Sequence, residues 1–392
     1  MRNLFILFMS ILLLSCVKEE AMIIQENSLN EEVEIVAEQD EEIVKEEALL
    51  TDNKVSSQDV GSNYCGPYTV TEPFSLIGLK DTIISGLDIS NPNGIALNIN
   101  SCENVIIENC YLHDSSGNGI QIFGSTNIII RNNRMESIST GVYAQVSEGI
   151  QVVNNDIKNV LGPFPRGQFV QFAGGFGANN KINDNAFQNI EGESYGEDAI
   201  NLFNCNGTSE SPIEVRGNWI KNFTPSLTGG GIMTGDSGGS HILVSDNILV
   251  DSGPYGYGIG IASGTDIVIE DNTLVGRNKL NQYVPIFMTN FYESAQSCSG
   301  NTIRNNKMSW QDEIDRFVHI GYRAELCGEP YDVETNIMED SIDVTVLPED
   351  IFGSCELNLI NINDQSIIEG NTLDFTVAIA NGEIASSSVE FN

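Results

Sequence analysis

The sequence predicts an all-β solenoid, one coil of parallel strands stacked on the next, and three observations carry that prediction. First, a short string ending in asparagine recurs in one register: Ile-Arg-Asn-Asn133, Val-Val-Asn-Asn155, Ile-Asn-Asp-Asn185, Val-Arg-Gly-Asn218, Val-Ser-Asp-Asn247, Ile-Glu-Asp-Asn272 and Ile-Arg-Asn-Asn306. Second, the steps between these asparagines are unequal (22, 30, 33, 29, 25 and 34 residues), as when core strands are fixed and loops vary. Third, each string is followed two residues later by one apolar side chain: Met135, Ile157, Phe187, Ile220, Leu249, Leu274 or Met308. No such unit buries its apolar face alone; stacked at the strand spacing of about 4.8 Å, it does.

Within a unit, Ile128 and Ile130 point one way and Ile129 the other, the alternation of a strand. Asparagine suits the bend that follows, because it tolerates the left-handed conformation, and stacked amides also bond one another. A second strand then begins, often at glycine, as in Gly119-Ile120-Gln121-Ile122 and Gly141-Val142-Tyr143-Ala144. Asp81 to Ile89 makes the first full coil, with Gly86 expected in the ladder column and Cys110 in the next. This pattern resembles the right-handed parallel β-helix repeat, with its asparagine ladder, of the pectin lyase-like superfamily, over about residues 67–310. The resemblance implies a solenoid of about ten coils. It leaves function open, since that superfamily holds polysaccharide lyases, glycoside hydrolases, epimerases and non-catalytic proteins.

Residues 1–15 read as a secretory signal: Arg2 precedes the apolar run Leu4 to Leu14. Leu13-Leu14-Ser15-Cys16 resembles a bacterial lipobox, which implies lipidation of Cys16 and a membrane anchor. Val17-Lys18-Glu19-Glu20 resembles the surface-export signal of Bacteroidetes lipoproteins, implying an outer-membrane lipoprotein displayed outward. Residues 16–62 are acidic, with Glu31-Glu32, Asp40-Glu41-Glu42 and Glu46-Glu47, and read as a solvated, disordered tether. The β-helix with its closing cap is expected over residues 63–345. Beyond it, residues 346–392 alternate like strands, and Glu369-Gly370-Asn371-Thr372 with Phe375-Thr376-Val377 resembles the start of a Calx-β domain, here only partial.

The net charge of −37 argues against nucleic-acid partners and against long-range attraction of anionic glycans. Eight cysteines leave seven after lipidation, an odd number; Cys327 with Cys298 or Cys355 is an expected staple, while Cys102 and Cys110 read as packed thiols. A monomer is expected.

In a β-helix the outward residues of stacked strands floor a groove. The expected column is Ala96, Gln121, Tyr143, Gln171, Asn201, Met233, Gly260 and Phe287, preceded by Gln168, Tyr257 and Tyr283. Amides and aromatic rings along one line suit a polysaccharide, whose sugars offer hydroxyls and apolar faces. Gln121, Tyr143, Gln168, Gln171, Asn201, Tyr257 and Tyr283 are therefore the candidate substrate-binding residues. The candidate catalytic residues are Arg166, Glu197, Asp198 and Asp236, which fall on three successive coils. Neighbouring carboxylates push one pKa up and leave the other ionised, which serves general acid and base work. In this superfamily an arginine also neutralises a uronate or acts as a lyase base, and carboxylates hold Ca²⁺ in several pectate lyases, so calcium stays open as a cofactor. The Gly229-Gly230-Gly231 run is expected to let a ligand approach the backbone. A structural reading stands beside this one: Asp236 in a Gly-Asp-Ser-Gly turn and acids before a strand both serve local backbone bonding. His113-Asp114 is a weaker acid–base pair. The functional expectation is a surface lipoprotein acting as a polysaccharide lyase or glycoside hydrolase, with non-catalytic glycan binding or adhesion as the alternative.

Overall fold

The structure, a computed structural model, describes residues 60–163, 166–223, 230–251, 256–277, 284–312 and 314–352, and the backbone of the strands Leu359–Ile360, Thr372–Ala378 and Ile384–Glu390. Cys16, the signal, the acidic tether to residue 59 and Tyr283 lie outside the described residues. No described helix is long and apolar enough to cross a membrane.

Each regular coil contributes three strands; one coil runs Ile120–Phe123, Thr126–Arg131 and Arg134–Ile138. Every one of them pairs in parallel with its counterpart in the coils before and after. Alternation does the sorting. Ile120, Ile122, Ile128, Ile130 and Met135 are fully buried, and the same places in later coils hold Val170, Phe172, Ile182, Phe187, Ile200 and Leu202. The protein is thus a parallel β-helix with one continuous apolar core.

The asparagines form the expected ladder, but not at the bend. Asn133 donates through Nδ2 to Asn155 Oδ1, and the same link repeats through Asn185, Asn218, Asn247, Asn272 and Asn306 to Asn336, each at 2.8–3.0 Å. Nδ2 of Asn133 also donates to the Ile107 carbonyl one coil back, and Asn155 Oδ1 also accepts the Asn133 backbone N–H. From Asn133 to Asn306 these amides are fully buried and bonded, while Asn336 at the end of the row is half-buried. The left-handed bend falls one residue earlier, at Asn109, Asn132, Asn154, Asp184, Gly217, Asp246, Asp271 and Asn305, with φ between 54° and 67°. Gly86 (φ 69°) belongs to that bend column, so Leu87 and not Gly86 stands in the ladder column beside Cys110. Asn336 is an eighth rung that the sequence reading missed, although Val333 stands three residues before it; Ile337–Met338 pairs with Lys307–Met308 beside it.

Closure comes from both ends. The cap is pinned by the disulfide Cys298–Cys327. Residues 348–352 cross the face carrying Arg134, Lys158, Gln188 and Lys221. Lys221 Nζ donates to the Pro348 and Glu349 carbonyls, and Lys158 pairs with Asp350 at 2.8 Å. The Phe352 ring lies between Arg134 and Lys158. Leu359–Ile360 then pairs with Tyr68–Thr69, the first strand of that stack. The last two strands, Thr372–Ala378 and Ile384–Glu390, form an antiparallel pair.

Candidate active site

The outward column is in register as Ser75, Asn98, Gln121, Tyr143, Gln171, Asn201, Met233, Gly260 and Phe287. Asn98 stands where the sequence reading put Ala96; Ala96 precedes the strand Leu97–Asn100 and is buried. Asn118 Nδ2 donates to Gln121 Oε1 at 3.0 Å, which holds Gln121 in place.

Asp236 reaches this face through a bulge. From Asn201 to Phe203 is two residues, yet their partners Met233 and Asp236 are three apart; a second extra residue falls between Asp236 and Gly239. The first extra residue is Gly235, with φ 61° and no room for a side chain, since a Cβ would sit 1.8 Å from the Ser263 carbonyl oxygen. Thr234 faces the core, fully buried, and in a strand of unbroken alternation Asp236 would face the core as well; the bulge turns it to the groove side. Bulges re-aim side chains in this way, and they concentrate beside active sites.

The carboxylates meet there in unlike surroundings. Gln168 Nε2 donates to Glu197 Oε2 at 3.0 Å. Burial, then the charges of Asp198 and Asp236, hold Glu197 far above the ordinary carboxylate range, against the lowering pull of Arg166 and Gln168. Asn201 Nδ2 donates both to Asp198 Oδ2 and to Asp236 Oδ2, at 3.0 Å each. Tyr292 donates its hydroxyl to Asp236 Oδ1. Asp198 is 4% exposed and accepts a 2.5 Å bond from the Tyr257 hydroxyl. Burial raises its pKa, while Tyr257 and Asn201 lower it.

Arg166 turns the other way. Its guanidinium lies 4.5 Å from the Tyr143 ring centroid and donates to Gln171 Oε1 at 2.9 Å and to the Tyr143 hydroxyl at 3.3 Å. Among the described residues no ion pair joins it to a carboxylate.

The glycine run has a different use from the one expected. A Cβ on Gly230 would lie 2.4 Å from the Tyr257 ring, so Gly230 gives its space to the tyrosine that arches back to Asp198, not to a ligand. Tyr257 is correspondingly 7% exposed. Tyr292 was missed by the sequence reading; it lies 56 residues from Asp236, in a loop outside the repeat. His113 sits on another face, stacked on Tyr111, with its ring nitrogens 2.8 Å from Asp88 and from Asp114.

No group of three or more His, Cys, Asp or Glu side chains among the described residues is arranged to hold a metal. The donor set does not fit Ca²⁺, because Asp198 and Asp236 are already engaged by Tyr257, Asn201 and Tyr292.

Comparison with known proteins bears on the fold. A search of curated proteins returns no match. Among solved structures, the catalytic domain of a GH87 alpha-1,3-glucanase in complex with tetrasaccharides is similar at 12% identity and TM-score 0.37, covering 71% of this chain and 63% of that one. This chain thus spans less than two thirds of that structure. PfbA, a surface adhesin of Streptococcus pneumoniae, is similar at 9% identity and TM-score 0.29, covering 62% of this chain and 79% of that one. The family described as "Right handed beta helix region" matches residues 76–249, and with the stacked parallel sheets this makes the fold a right-handed parallel β-helix.

Proposed function

We propose that this chain is a glycoside hydrolase acting on a neutral extracellular polysaccharide, with Glu197 as general acid and Asp236 as general base. The observation that carries the reading is the unlike pair. One carboxyl is kept protonated by burial, and the other is aimed into the groove by a bulge and held by two donors. In the reaction the Glu197 proton goes to the leaving glycosidic oxygen as the bond from that oxygen to the anomeric carbon breaks. Asp236 takes a proton from the water whose oxygen bonds that carbon. Asp198 is a positioning residue, orienting Asn201 and Tyr257.

Hydrolysis fits better than elimination because Arg166 is committed to Tyr143 and Gln171, and the site holds three acids against that one cation. A uronate would meet local repulsion there, on a chain of net charge −37. We place the protein at the outer-membrane surface, anchored through lipid on Cys16, working as a monomer with polysaccharide and not nucleic acid as its partner. The test is incubation with neutral and uronate polysaccharides. New reducing ends without ultraviolet-absorbing unsaturated product are expected, and Glu197→Gln should slow their release by about 10²- to 10⁴-fold. An unsaturated product would turn the assignment to a lyase.

A second reading, glycan binding without turnover, draws on one observation: each oxygen of Asp198 and Asp236 already accepts a hydrogen bond from a tyrosine or an asparagine. It expects binding without new reducing ends, and binding lost on Tyr143→Ala or Tyr257→Ala.

A further inference from the structure

The two sides of the carboxylate site are built from different chemistry. Toward the N-terminal end, the outward column continues from Asn201 through Gln171, Tyr143 and Gln121 to Asn98, four rungs of hydrogen-bonding side chains in strict register. At the spacing between paired strands that is about 19 Å of polar floor. Asn98 and Gln121, at its far end, are half-buried and so reachable, whereas Tyr143 and Gln171 are buried beneath the Arg166 guanidinium, which forms the floor there together with them.

Toward the C-terminal end the floor stops within two rungs. Gly260 follows Met233, and the Phe287 ring lies over it, since a Cβ there would be 2.4 Å from Phe287 Cζ. Phe287 packs edge-on against Tyr257 at 4.8 Å and tilts against Phe291 at 5.7 Å. The loop bearing Phe291 and Tyr292 is not a loose flap. Thr289 and Phe291 donate backbone N–H groups to the carbonyls of Ile261 and Ala262, and Asn290 Nδ2 donates to the Glu293 and Gln296 carbonyls. The Cys298–Cys327 disulfide follows directly. Four aromatic rings therefore stand across the column just past Asp236, and two of them, Tyr257 and Tyr292, reach back to bond the carboxylates themselves.

We infer that the site is the closed end of a one-sided groove: a glycan lies over Asn98, Gln121, Tyr143 and Gln171, its terminus abuts the wall of Tyr257, Phe287, Phe291 and Tyr292, and the enzyme cleaves from a chain end. This rests on the hydrolase reading and adds to it the mode of attack. Phe291, 42% exposed at the top of the wall, offers an apolar face to the terminal sugar.

Two measurements on the full mature chain test this. The first follows products from neutral glucans, mannans, xylans and galactans over time. One short product from the earliest time point and a slow fall in viscosity are expected, with Phe287→Ala admitting longer products; a broad early ladder of lengths overturns the inference. The second needs no turnover. Hydroxyl-radical footprinting of Glu197→Gln with oligosaccharides of those four glycans should protect Phe123, 45% exposed on the strand of Gln121, with Phe291 the last residue shielded and Phe317 and Tyr322 unchanged. Protection extending past Phe291 to Phe317 and Tyr322 overturns the closed groove while leaving the hydrolase reading standing. Absence of both binding and turnover with every glycan removes the hydrolase reading and this inference together.

Discussion

The asparagine ladder and the outward column ending at Asn201 are both rows of stacked amides, yet they are built on opposite rules. In the ladder every rung repeats: each amide meets the same three partners, one coil after another, in full burial. In the outward column Asn201 meets two carboxylates that no other rung possesses. The second arrangement needs the repeat to break, through the extra residue at Gly235, through Gly230 yielding to Tyr257, and through a loop that returns Tyr292. Regularity stabilises this fold, and departures from regularity equip it.

The largest effect is expected where the repeat is broken. Glu197→Gln and Asp236→Asn should each lower turnover by about 10²- to 10⁴-fold, the usual worth of a positioned acid or base. Folding should survive, because both changes keep size, the new amide oxygens can still accept from Gln168 and Asn201, and the Tyr292 hydroxyl can turn to accept from the new amide at 236; circular dichroism and steady-state rates separate the two. Gly235→Ala sharpens the point. Its Cβ collides with the Ser263 carbonyl, so the bulge must shift and carry Asp236 with it. Turnover should then fall although no carboxylate has changed, and retained activity would refute the role of the bulge.

Where the repeat is intact, the effect should appear in stability instead. Asn218→Ala leaves the Asn185 backbone N–H and amide without their acceptor and the Ile182 carbonyl without its donor. Unsatisfied buried groups cost about 1–3 kcal/mol each, so a loss of roughly 3–5 kcal/mol is expected in denaturant unfolding. A change within experimental scatter would mean that the ladder contributes only shape.

The contrast also explains what could be read from the chain. Asn133 to Asn306 were legible because a ladder side chain has one environment, and that environment accepts one residue type. The outward register from Gln121 to Phe287 followed from the same counting. Asn98 was misplaced because its coil has no ladder asparagine to count from. Asp236 appeared only as a candidate, because an inserted residue reverses the face of everything after it and sequence spacing does not mark a bulge. Tyr292 was invisible, since its loop lies outside the period and only the folded chain brings it to Asp236. The burial of Asp198 depended on Tyr257, two coils away.

An intermediate effect concerns pH. Glu197 is raised by burial, so the folded protein keeps a proton that the unfolded chain releases. Its contribution to stability is therefore present in acid and is lost as pH rises from the ordinary carboxylate range through the raised value. Melting temperature should fall across that window in the wild type, more steeply than in Glu197→Gln. Equal slopes in the two proteins would remove burial as the cause.

The smallest effect tests a strained position beside the groove. As far as the coil of Asp236, the corner after each outward strand takes a left-handed residue, and the successive occupants are Gly78, Ser101, Gly124, Val146, Gly174, Asn204 and Ser237. Six of these suit the conformation; Val146, at φ 48°, does not, because a β-branched side chain crowds the following carbonyl. Nothing in the core requires it, as Val146 is 56% exposed. Val146→Gly should relieve the strain and, after the entropy cost of glycine, stabilise the protein by about 1 kcal/mol. If the exposed valine serves only the fold, glycan affinity will not change. If affinity falls while stability rises, Val146 with its exposed neighbour Phe123 belongs to the binding surface, and the rim of the groove is a second place where the repeat gives up stability for contact.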